Sequence, residues 1–401
     1  MEYAIVGEAL WLGCIDNLPR WLDEDRTMQD EYPMIHIFEQ YPLLKERIPY
    51  VQLGEFPTPT VHLKHFGKEI GTDYLYLKND GVSGQIYGGN KIRKLEFLLG
   101  DALRKGAKEL LTFGFAGSNH ALATAVCAQK LGLKSISILL AQPNALYVRR
   151  NLLLSHVWCA EIHHFKNERA VYIPTSILFL RKKVKQGKFP YSICPGGSSP
   201  LGTIGYVNAG FELKEQVVSG LVPEPDKIFV AFGTMGTAVG LTIGLKAAGL
   251  NSRVVSVRVA DIKYGNKKIF VKLFRETMAL ILSFDSSFPR VEINDDEVDI
   301  RHDFFGGRYA RFTEQGIAAV NLLAKTEGIR LDGTYTGKAM AALVDQVKSQ
   351  GKRHEVILFW NTYNARDFSD VIKGIDYHQL PRCVHQYFEE DVQPLDPQYF
   401  E

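Results

Sequence analysis

The sequence contains few cysteines and almost no net charge, and both shortages exclude classes of protein. Its 401 residues include five cysteines, an odd number, and no two of them form a C-x-x-C pair. This spacing is typical of reduced thiols rather than of a disulfide framework or a zinc site, so we expect no metal centre. The 47 basic and 45 acidic residues leave a net charge of +2, which gives no general attraction to nucleic acid or to membranes.

Long apolar runs are missing as well. No stretch approaches the roughly 18 apolar residues of a membrane span, and the first residues, MEYAIVGEALWLG, lack the basic region of a secretory signal. Apolar residues make up 46% of the chain and charged residues 23%, which are ordinary values for a globular protein. We therefore predict a cytoplasmic protein with no nucleic-acid and no membrane partner. Its length suits two lobes, or one large α/β unit with a subdomain.

From about residue 74 onward, short apolar runs alternate with amphipathic segments. The pattern predicts strands at Tyr74–Lys78, Leu110–Phe113, Ser135–Leu140, Lys227–Val230, Arg253–Val259 and Val356–Phe359. It predicts helices at Arg93–Lys105, Asn119–Leu131, Thr313–Thr326 and Lys338–Gln350. Two further helices are predicted, one from Pro200 through Phe211 and one that ends at Ala247. Residues 262–299 break this rhythm and are interpreted as helix plus loop. Repeated strand–helix–strand units of this length predict an α/β fold with parallel strands and right-handed crossovers.

A glycine-rich turn before the first of these helices ends in a lysine. The segment GGNKIRK, residues 88–94, follows a strand and opens a helix. Two glycines let the backbone approach a ligand closely, and a partly desolvated lysine amine can form a Schiff base. The alternative is that Lys91 is one of many solvated lysines in a basic run.

Three further turns stand between a strand and a helix, where open α/β sheets bind ligands. In residues 114–120, GFAGSNH, free N–H groups at a helix start suit a carboxylate or phosphate, although ordinary N-capping by Ser118 or Asn119 explains the residues equally well. Residues 233–237, GTMGT, suit a phosphate but do not match the dinucleotide fingerprint, so a close-packing turn stays open. Residues 196–202, GGSSPLG, form another flexible turn.

Taken in order, these motifs resemble the family of 1-aminocyclopropane-1-carboxylate deaminase and D-cysteine desulfhydrase. The similar segments are LGEFPTPT, LKNDGVSGQIYGGNKIRKLEFLLGDAL, GSNHALATA, PGGSSPLGTIGYVNAGFEL and LDGTYTGKAMAAL. The resemblance implies a tryptophan-synthase-β-like fold, with two open twisted, mostly parallel sheets and helices on both faces. It also implies pyridoxal 5'-phosphate as cofactor, a small amino acid as substrate and a homodimer. The expected division is an extension at 1–50, a large cofactor-binding lobe at 51–93 plus 201–401, and a small lobe at 94–200.

The resemblance assigns the cofactor contacts residue by residue. Lys91 would carry the cofactor as a Schiff base and would be the base that moves the α-proton. Asn119 would hydrogen-bond the phenolic oxygen of the cofactor, and Thr362 falls where the family places a residue beside the pyridine nitrogen. The phosphate would be bound by Lys94 and by the turn Gly233, Thr234, Met235, Gly236 and Thr237.

The resemblance also assigns the substrate contacts. The substrate carboxylate would lie against Ser118, Asn119 and His120. Tyr309, in GGRYARF, and Tyr335, in YTGK, would be the two active-site tyrosines, so that the catalytic set is Lys91, Ser118, Tyr309 and Tyr335. The remaining substrate contacts implied by the resemblance are Gly197, Ser198 and Thr336.

Two threonines bear on the branch of the family. The deaminase branch has an acid after the second tyrosine and an apolar residue at the pyridine position, whereas this chain has Thr336 and Thr362, as in the desulfhydrase branch. A hydroxyl beside the ring nitrogen leaves the pyridine largely unprotonated and favours β-elimination over a long-lived carbanion. We therefore expect D-cysteine or a related β-substituted amino acid to give a keto acid and ammonia.

Three alternatives stay open. Where the family shows His-Thr-Gly-Gly, residues 361–364 read Asn-Thr-Tyr-Asn, and the two larger side chains are consistent with a silent homologue that acts as a binder or partner subunit. Retention of Lys91, Ser118, Asn119 and both tyrosines opposes that interpretation. The ring-opening deaminase and β-replacement synthesis are the other two. Phe115 and Ala116 also differ from the more polar family residues.

Overall fold

The computed structural model describes residues 35–350 and 354–396. Contacts divide the chain into two compact units. Of the described residues, the first unit contains 102–195 and 367–392, and the second contains 35–101, 196–366 and 393–396. The lobe boundaries expected from the resemblance stay a prediction.

In the part of the chain that the structure describes, ten strands form two sheets. They are β1 (Thr60–His62), β2 (Leu75–Asn79), β3 (Glu109–Phe115), β4 (Lys134–Leu140), β5 (Glu161–Phe165), β6 (Tyr191–Ile193), β7 (Lys227–Phe232), β8 (Arg253–Arg258), β9 (Asp299–Arg301) and β10 (Ile357–Asn361). The first unit holds a four-stranded parallel sheet in the order β5-β4-β3-β6. The second unit holds six strands in the order β1-β2-β10-β7-β8-β9, in which only the β1–β2 pair is antiparallel among the described strands.

Fourteen α-helices accompany the sheets in the described ranges. They are α1 (His36–Gln40), α2 (Pro42–Arg47), α3 (Lys64–Ile70), α4 (Lys91–Arg104), α5 (Asn119–Lys130), α6 (Leu146–Val157), α7 (Tyr172–Gln186), α8 (Pro200–Val218), α9 (Gly236–Ala247), α10 (Lys267–Phe284), α11 (Glu314–Glu327), α12 (Thr336–Gln350), α13 (Ser369–Ile372) and α14 (Gln386–Glu389). The α/β class with mostly parallel sheets is therefore confirmed.

Local chemistry explains where the helices near the site begin. Ser118 caps α5 by accepting a hydrogen bond from the Ala121 amide at 3.2 Å, and Ser199 caps α8, which has Pro200 in its first turn. Helices α8 and α9 approach each other closely because Gly210 and Gly244 face each other. A Cβ at Gly210 would lie 2.5 Å from the Gly244 carbonyl carbon. Nearer their starts, the Gly236 amide donates to Ser198 Oγ, so α8 and α9 also begin close together.

Residues 262–299 contain the helix and the loop predicted from the sequence, and a short strand follows them. Asn266 caps an 18-residue helix, α10, whose inner face is buried. The short strand β9 then pairs in parallel with β8 and extends the sheet. The sequence pattern did not predict this strand, because its three residues, Asp-Ile-Arg, are all half-buried and show no alternation.

The described part of the N-terminal extension covers the core. Ile37 and Leu44 are fully buried in the same apolar cluster as residues of α8 and α9. The amide of Ile37 donates to Asn208 Oδ1 at 3.1 Å, which ties α1 to α8. The described residues 35–50 thus pack on the core, while the rest of the predicted extension lies outside the described residues.

Four charged side chains form a buried ionic core in the second unit, which consists of Lys78, Asp80, Arg93 and Glu212. The Arg93 guanidinium donates to Glu212 Oε2 at 2.7 Å and to Asp80 Oδ1 at 2.8 Å, and the Lys78 amine lies 2.5 Å from Glu212 Oε1. Arg93 and Lys78 hold the pKa of the Glu212 carboxyl well below its usual range despite its burial. Each charge in this core therefore has an opposite charge in direct contact.

Among the residues that the structure describes, no helix combines the length and the apolar character that crossing a bilayer requires.

Candidate active site

Lys91 is the first residue of α4 and is held in place by the glycine turn before it. The Gly89 amide donates to the Asp80 carbonyl at 2.7 Å, and the Asn90 amide donates to the Thr362 carbonyl at 3.1 Å. Gly89 has φ +91°, and a Cβ there would lie 2.9 Å from the Thr362 oxygen, so the position requires glycine. The turn thus places Lys91 beside the carboxyl ends of β2 and β10.

The Lys91 amine has an unusual environment for a lysine. Burial of the amine lowers its pKa to about 8, and the carboxylate of Asp332 opposes part of that shift. With this pKa about a tenth of the amine is neutral at pH 7, compared with well under a thousandth for an ordinary lysine. A neutral amine is the form that attacks a carbonyl and that accepts a proton. Lys91 is therefore half-buried, unlike the solvated lysine of a basic run that the sequence left as the alternative.

Asp332 is the centre of a group of side chains that we call the amine cluster, which contains Lys91, Asp332, Lys338, Tyr309 and Tyr335. The Asp332 carboxyl is buried, which raises its pKa. It accepts hydrogen bonds from the Tyr335 amide at 3.1 Å and from the amide of the following threonine at 2.8 Å. Burial also lowers the pKa of the Lys338 amine to about 8, and Asp332 again opposes part of the shift.

The two tyrosines expected from the resemblance meet in this cluster. The hydroxyls of Tyr309 and Tyr335 contact each other in a hydrogen bond, and their rings pack edge to face with centroids 6.0 Å apart. Burial raises the pKa of Tyr309 well above its usual value, and the neighbouring Tyr335 adds to the shift. Tyr309 is therefore a neutral phenol at physiological pH and can donate a proton or a hydrogen bond.

A second group of contacts surrounds the amino end of α9. The Lys94 amine donates to the Gly196 carbonyl and to Ser198 Oγ, both at 3.2 Å. The Ser198 hydroxyl also accepts from the Gly236 amide at 3.1 Å and bonds to Thr234 Oγ1 at 2.9 Å. These contacts bring a cation, two hydroxyls and the first amides of a 12-residue helix together.

This arrangement fits a phosphate group. Helix N-termini and a nearby lysine amine attract anions. A Cβ placed at Gly233 would meet only Tyr335, at 3.9 Å, so the turn faces open space next to the second tyrosine. Asn90 Nδ2 donates to Thr237 Oγ1 at 3.0 Å, which ties this turn to the residue preceding Lys91. An aldehyde cofactor with a phosphate arm therefore has both a lysine and a phosphate cradle in the same unit.

Residues 361–364 serve the glycine turn rather than filling space beside it. Asn361 Nδ2 donates to Asn79 Oδ1 at 3.0 Å, across the β10–β2 pair. Asn364 Oδ1 accepts from the Gly88 amide at 2.8 Å and from the Arg366 amide at 3.2 Å. Thr362 is buried and follows β10 directly. The Asn364 side chain that replaces a family glycine thus orders the turn that carries Lys91.

The turn of the first unit is built around the start of α5. Asn151, on α6, donates through Nδ2 to Asn119 Oδ1 at 2.9 Å and to the Gly117 carbonyl at 3.0 Å. Ser118 caps the helix, which is the ordinary alternative considered from the sequence, but its hydroxyl proton can still be donated to a ligand. His120 is 3% exposed, on the first turn of α5.

The structure gathers most of the predicted residues in the second unit. Lys91, Lys94, Gly197, Ser198, Gly233–Thr237, Tyr309, Tyr335, Thr336 and Thr362 lie there, whereas Ser118, Asn119 and His120 belong to the first unit. The Thr336 hydroxyl bonds to Asp332 Oδ1 at 2.5 Å, and Ser198 bonds within the phosphate cradle, so each side chain already has a structural partner. Their contacts with substrate stay predictions.

Sequence reasoning missed Asn90, Asn151 and Asp332, and it assigned Ser198 to the substrate instead of to the phosphate cradle. Asn90 and Ser198 join the phosphate cradle, Asn151 orients Asn119, and Asp332 faces both lysine amines. The signal for Asp332 was its place shortly before the YTGK motif, where its carboxylate can accept hydrogen bonds from the amides at the start of the next helix. The other three act through contacts that sequence spacing does not reveal. Within the described residues, no group of three or more His, Cys, Asp or Glu side chains could hold a metal ion.

Comparison with known proteins agrees with this geometry. A family model described as pyridoxal-phosphate dependent enzyme matches residues 51–362. A D-cysteine desulfhydrase of Serratia proteamaculans is 34% identical over 329 residues, covering 80% of this chain and 94% of the relative. A protein of Pyrococcus horikoshii is 35% identical over 320 residues, covering 80% of this chain and 93% of the relative. It is provisionally named a 1-aminocyclopropane-1-carboxylate deaminase.

Solved structures show the same similarity. The crystal structure of an ACC deaminase homologue superposes with a TM-score of 0.70 at 33% identity, covering 84% of this chain and 98% of the other. A threonine deaminase isoform of Solanum lycopersicum superposes with a TM-score of 0.55 at 14% identity, covering 84% of this chain and 94% of the other, which speaks for the fold alone.

Proposed function

The chain belongs to the family of pyridoxal-phosphate dependent enzymes, and from that premise we propose that it deaminates a small amino acid by β-elimination, with D-cysteine as the first candidate substrate. The products would be a keto acid and ammonia, together with sulfide when the substrate is cysteine. When bound, pyridoxal phosphate supplies the electron sink for the charge left at the substrate Cα.

The observation that carries this proposal is the Lys91 amine with its lowered pKa. Its pKa of about 8 results from burial, and the amine stands at the start of the same helix as Lys94. Lys94 reaches the amino end of α9, where its amine donates to Gly196 and Ser198. One helix therefore offers a nucleophilic amine and, one turn later, a cation for the phosphate arm.

The chain's own residues then have distinct tasks. Lys91 would hold the cofactor carbon and afterwards take the proton from the substrate Cα. Lys94 and the amides of 233–237 would hold the phosphate, while Thr362 would place a hydroxyl at the pyridine nitrogen. Tyr309 would donate its proton to the departing β-substituent, because its raised pKa keeps it protonated. Ser118, Asn119 and His120 remain the proposed residues for the substrate carboxylate.

The choice of substrate depends on Thr336 and Thr362 and on the relatives. The relatives carry names for both branches, a D-cysteine desulfhydrase and a 1-aminocyclopropane-1-carboxylate deaminase. The two threonines favour D-cysteine desulfhydrase activity. Thr336 stands where the deaminase branch has an acidic side chain, and its hydroxyl bonds to Asp332.

The silent-homologue alternative has one observation against it. Its main support was the larger side chains at 363 and 364, but Asn364 bonds the Gly88 amide and supports the lysine turn. A site that had lost its chemistry would have no need to order that turn. We therefore keep turnover in the proposal.

Turnover assays with three substrates test the proposal. Purified protein loaded with pyridoxal phosphate is given D-cysteine, L-cysteine or 1-aminocyclopropane-1-carboxylate, and keto acid, ammonia and sulfide are measured. We expect keto acid and sulfide from D-cysteine, and no product from the Lys91→Ala variant. Lys325→Ala, an exposed lysine on α11, is the matched control and should retain full activity.

Each other outcome has a defined meaning. Turnover of the cyclopropane alone would replace the substrate and keep the enzyme class. No sulfide from either cysteine enantiomer would refute the desulfhydrase proposal. Retained activity in Lys91→Ala would refute the role of this lysine.

We propose in addition that the protein is a cytoplasmic homodimer that binds no nucleic acid. The near balance of charges supports the absence of a nucleic-acid partner, and the absence of a disulfide among the four described cysteines supports the cytoplasm. The dimer rests on the family resemblance. Light scattering during size-exclusion chromatography tests the dimer, since a mass near the monomer's 45.1 kDa would contradict it.

A further inference from the structure

Tyr309 stands in a loop whose backbone is unusual at three positions. Gly306 and Gly307 have φ values of +77° and +79°, and Ala310, which is not a glycine, has φ +60°. A left-handed alanine costs roughly 1 kcal/mol and persists only where surrounding contacts impose it. The loop that presents Tyr309 therefore needs external support to keep its shape.

Both ends of this loop are held by distant side chains. At the start, the Lys338 amine donates to the Phe305 carbonyl at 2.7 Å. At the end, Gln393 Oε1 accepts from the Phe312 amide at 2.7 Å, and its Nε2 donates to the Ala310 carbonyl at 3.1 Å. The Gln393 side-chain amide thus bonds both the Phe312 N–H and the Ala310 carbonyl. Ala310 is the residue with the left-handed backbone conformation.

Gln393 comes from a part of the chain that the family match does not reach. The matched region ends at residue 362. The Gln393 backbone is ordered locally, because its carbonyl accepts from the Asp396 amide at 2.9 Å and Asp396 is 1% exposed. Its side chain is half-buried, so it is accessible to mutation without opening the core.

We propose that Gln393 is a positioning residue for Tyr309, so that the C-terminal segment of this chain contributes to catalysis through the 305–312 loop. The inference rests on the proposed function, in which Tyr309 donates a proton. Without the Gln393 amide, Ala310 loses the contact that favours its left-handed conformation. The Tyr309 hydroxyl then loses its fixed contact with Tyr335. Gln393 itself touches no reacting atom.

The test compares kcat and KM among variants of the cofactor-loaded enzyme. We expect Gln393→Ala to lower kcat by about tenfold or more, since displacing a catalytic group by an ångström costs up to a hundredfold. KM should change little, because the substrate carboxylate and the phosphate are held by other residues. Gln386→Ala makes the same chemical change seven residues earlier and should leave kcat unchanged.

A double variant separates positioning from general loosening. In the Tyr309→Phe background the added Gln393→Ala change should have little further effect on kcat, because the group it positions is gone. Multiplicative losses in the double variant would overturn the proposal. An unchanged kcat in Gln393→Ala alone would overturn it as well.

A conservative variant supplies a pH signature. Gln393→Glu keeps the acceptor for the Phe312 amide, but its ionised carboxylate meets the Ala310 carbonyl oxygen without a proton to donate. Its kcat relative to wild type should therefore rise as the pH falls and the carboxyl becomes protonated. A constant ratio across pH would contradict the two-bond role.

Failure of the inference can be told from failure of the proposed function. If the wild type turns over none of the three substrates, the function is wrong. The geometry is then still tested by hydrogen exchange of the peptide spanning 305–316, which should quicken in Gln393→Ala and not in Gln386→Ala. If the wild type is active and Gln393→Ala equals it, only the inference fails.

Discussion

The ionic core and the amine cluster both contain lysine and carboxylate side chains in the second unit. The two clusters differ in whether the lysine amines contact a carboxylate directly. In the ionic core, Glu212 contacts both Arg93 and Lys78, at 2.7 and 2.5 Å. In the amine cluster, Asp332 acts on Lys91 and Lys338 as a neighbouring charge, and its hydrogen bonds come from backbone amides and a threonine hydroxyl. Both of those lysines have a pKa lowered to about 8 by burial.

This difference shows that buried charge alone does not identify a reactive site. Where each charge contacts an opposite charge, the pairs serve the fold, although burial lowers the pKa of the Lys78 amine there too, against the opposing effect of Glu212. Where an amine is desolvated without a carboxylate in direct contact, its neutral form becomes accessible near physiological pH and can do chemistry. Lys91 is in the second situation, and the preceding residue, Asn90, bonds to Thr237 of the phosphate cradle. The predictions below separate the two clusters.

The largest effect is expected from Lys91→Ala. It should lower turnover by about a thousandfold or more, because the variant loses both the amine that holds the cofactor and the base at Cα. The thermal unfolding midpoint of the apoprotein should stay the same or rise slightly, since a desolvated amine is removed. Steady-state kinetics and calorimetry check both. A large loss of stability would place Lys91 with the ionic core.

Arg93→Met should show the opposite pattern. It leaves Asp80 and Glu212 buried without their shared cation, which costs about 3–5 kcal/mol of unfolding free energy. Denaturant titration measures this loss, and Arg104→Met, an exposed position on the same helix, is the matched control and should change stability little. An Arg93→Met variant as stable as the control would refute the structural role of the ionic core.

The pH dependence of stability should depend on Lys338. Its folded pKa of about 8 lies below the ordinary value of 10.5, so the unfolded chain binds more protons between these two pH values. Stability contributed by this group therefore rises as the pH goes from 8 to 10.5, and it is lowest below pH 8. We expect Lys338→Met to remove this rise in unfolding free energy with pH, which is on the order of 1–3 kcal/mol.

Paired denaturant titrations of wild type and Lys338→Met at pH 7.5 and pH 10 measure this difference. Other titrating groups are common to both proteins and cancel in the comparison. An identical pH dependence of the two proteins would contradict the lowered pKa of this buried amine.

The smallest effect is expected from Asp332→Asn. The Asp332 carboxylate raises the pKa of Lys91 against the effect of burial, so its removal should move that pKa to lower values. The pH at which a lysine reagent labels Lys91 at half its maximal rate should fall accordingly. A midpoint that moves to higher pH would mean that Asp332 does not bear a negative charge near Lys91.

The sequence predicted the parts of the fold and site that depend on local patterns. The alternation of apolar runs predicted strands such as β2, β3 and β7 to within a few residues. The GGNK turn was predicted to open a helix, and α4 begins at Lys91. These predictions succeeded because glycine turns and strand–helix alternation act over a few neighbouring residues. The family, the cofactor and the α/β class are confirmed.

The features that escaped prediction depend on contacts between distant residues. Gln393 reaches the Ala310 carbonyl across 83 residues, and Asn364 reaches the Gly88 amide across 276. Nothing in the local sequence of either residue indicates its partner. The half-buried strand β9 and the C-terminal segment beyond residue 362 likewise have no clear periodicity. The assigned roles of the site residues stay predictions until they are measured.

The most direct test of the account is to trap the cofactor on its lysine. Purified protein is mixed with pyridoxal phosphate, reduced with borohydride and digested, and the peptides are mapped by mass spectrometry. The account predicts the cofactor mass on Lys91, and on neither Lys94 nor Lys338. Labelling of Lys338 or Lys94 in place of Lys91, or no site-specific label at all, would contradict the claim that Lys91 is the lysine that carries the cofactor.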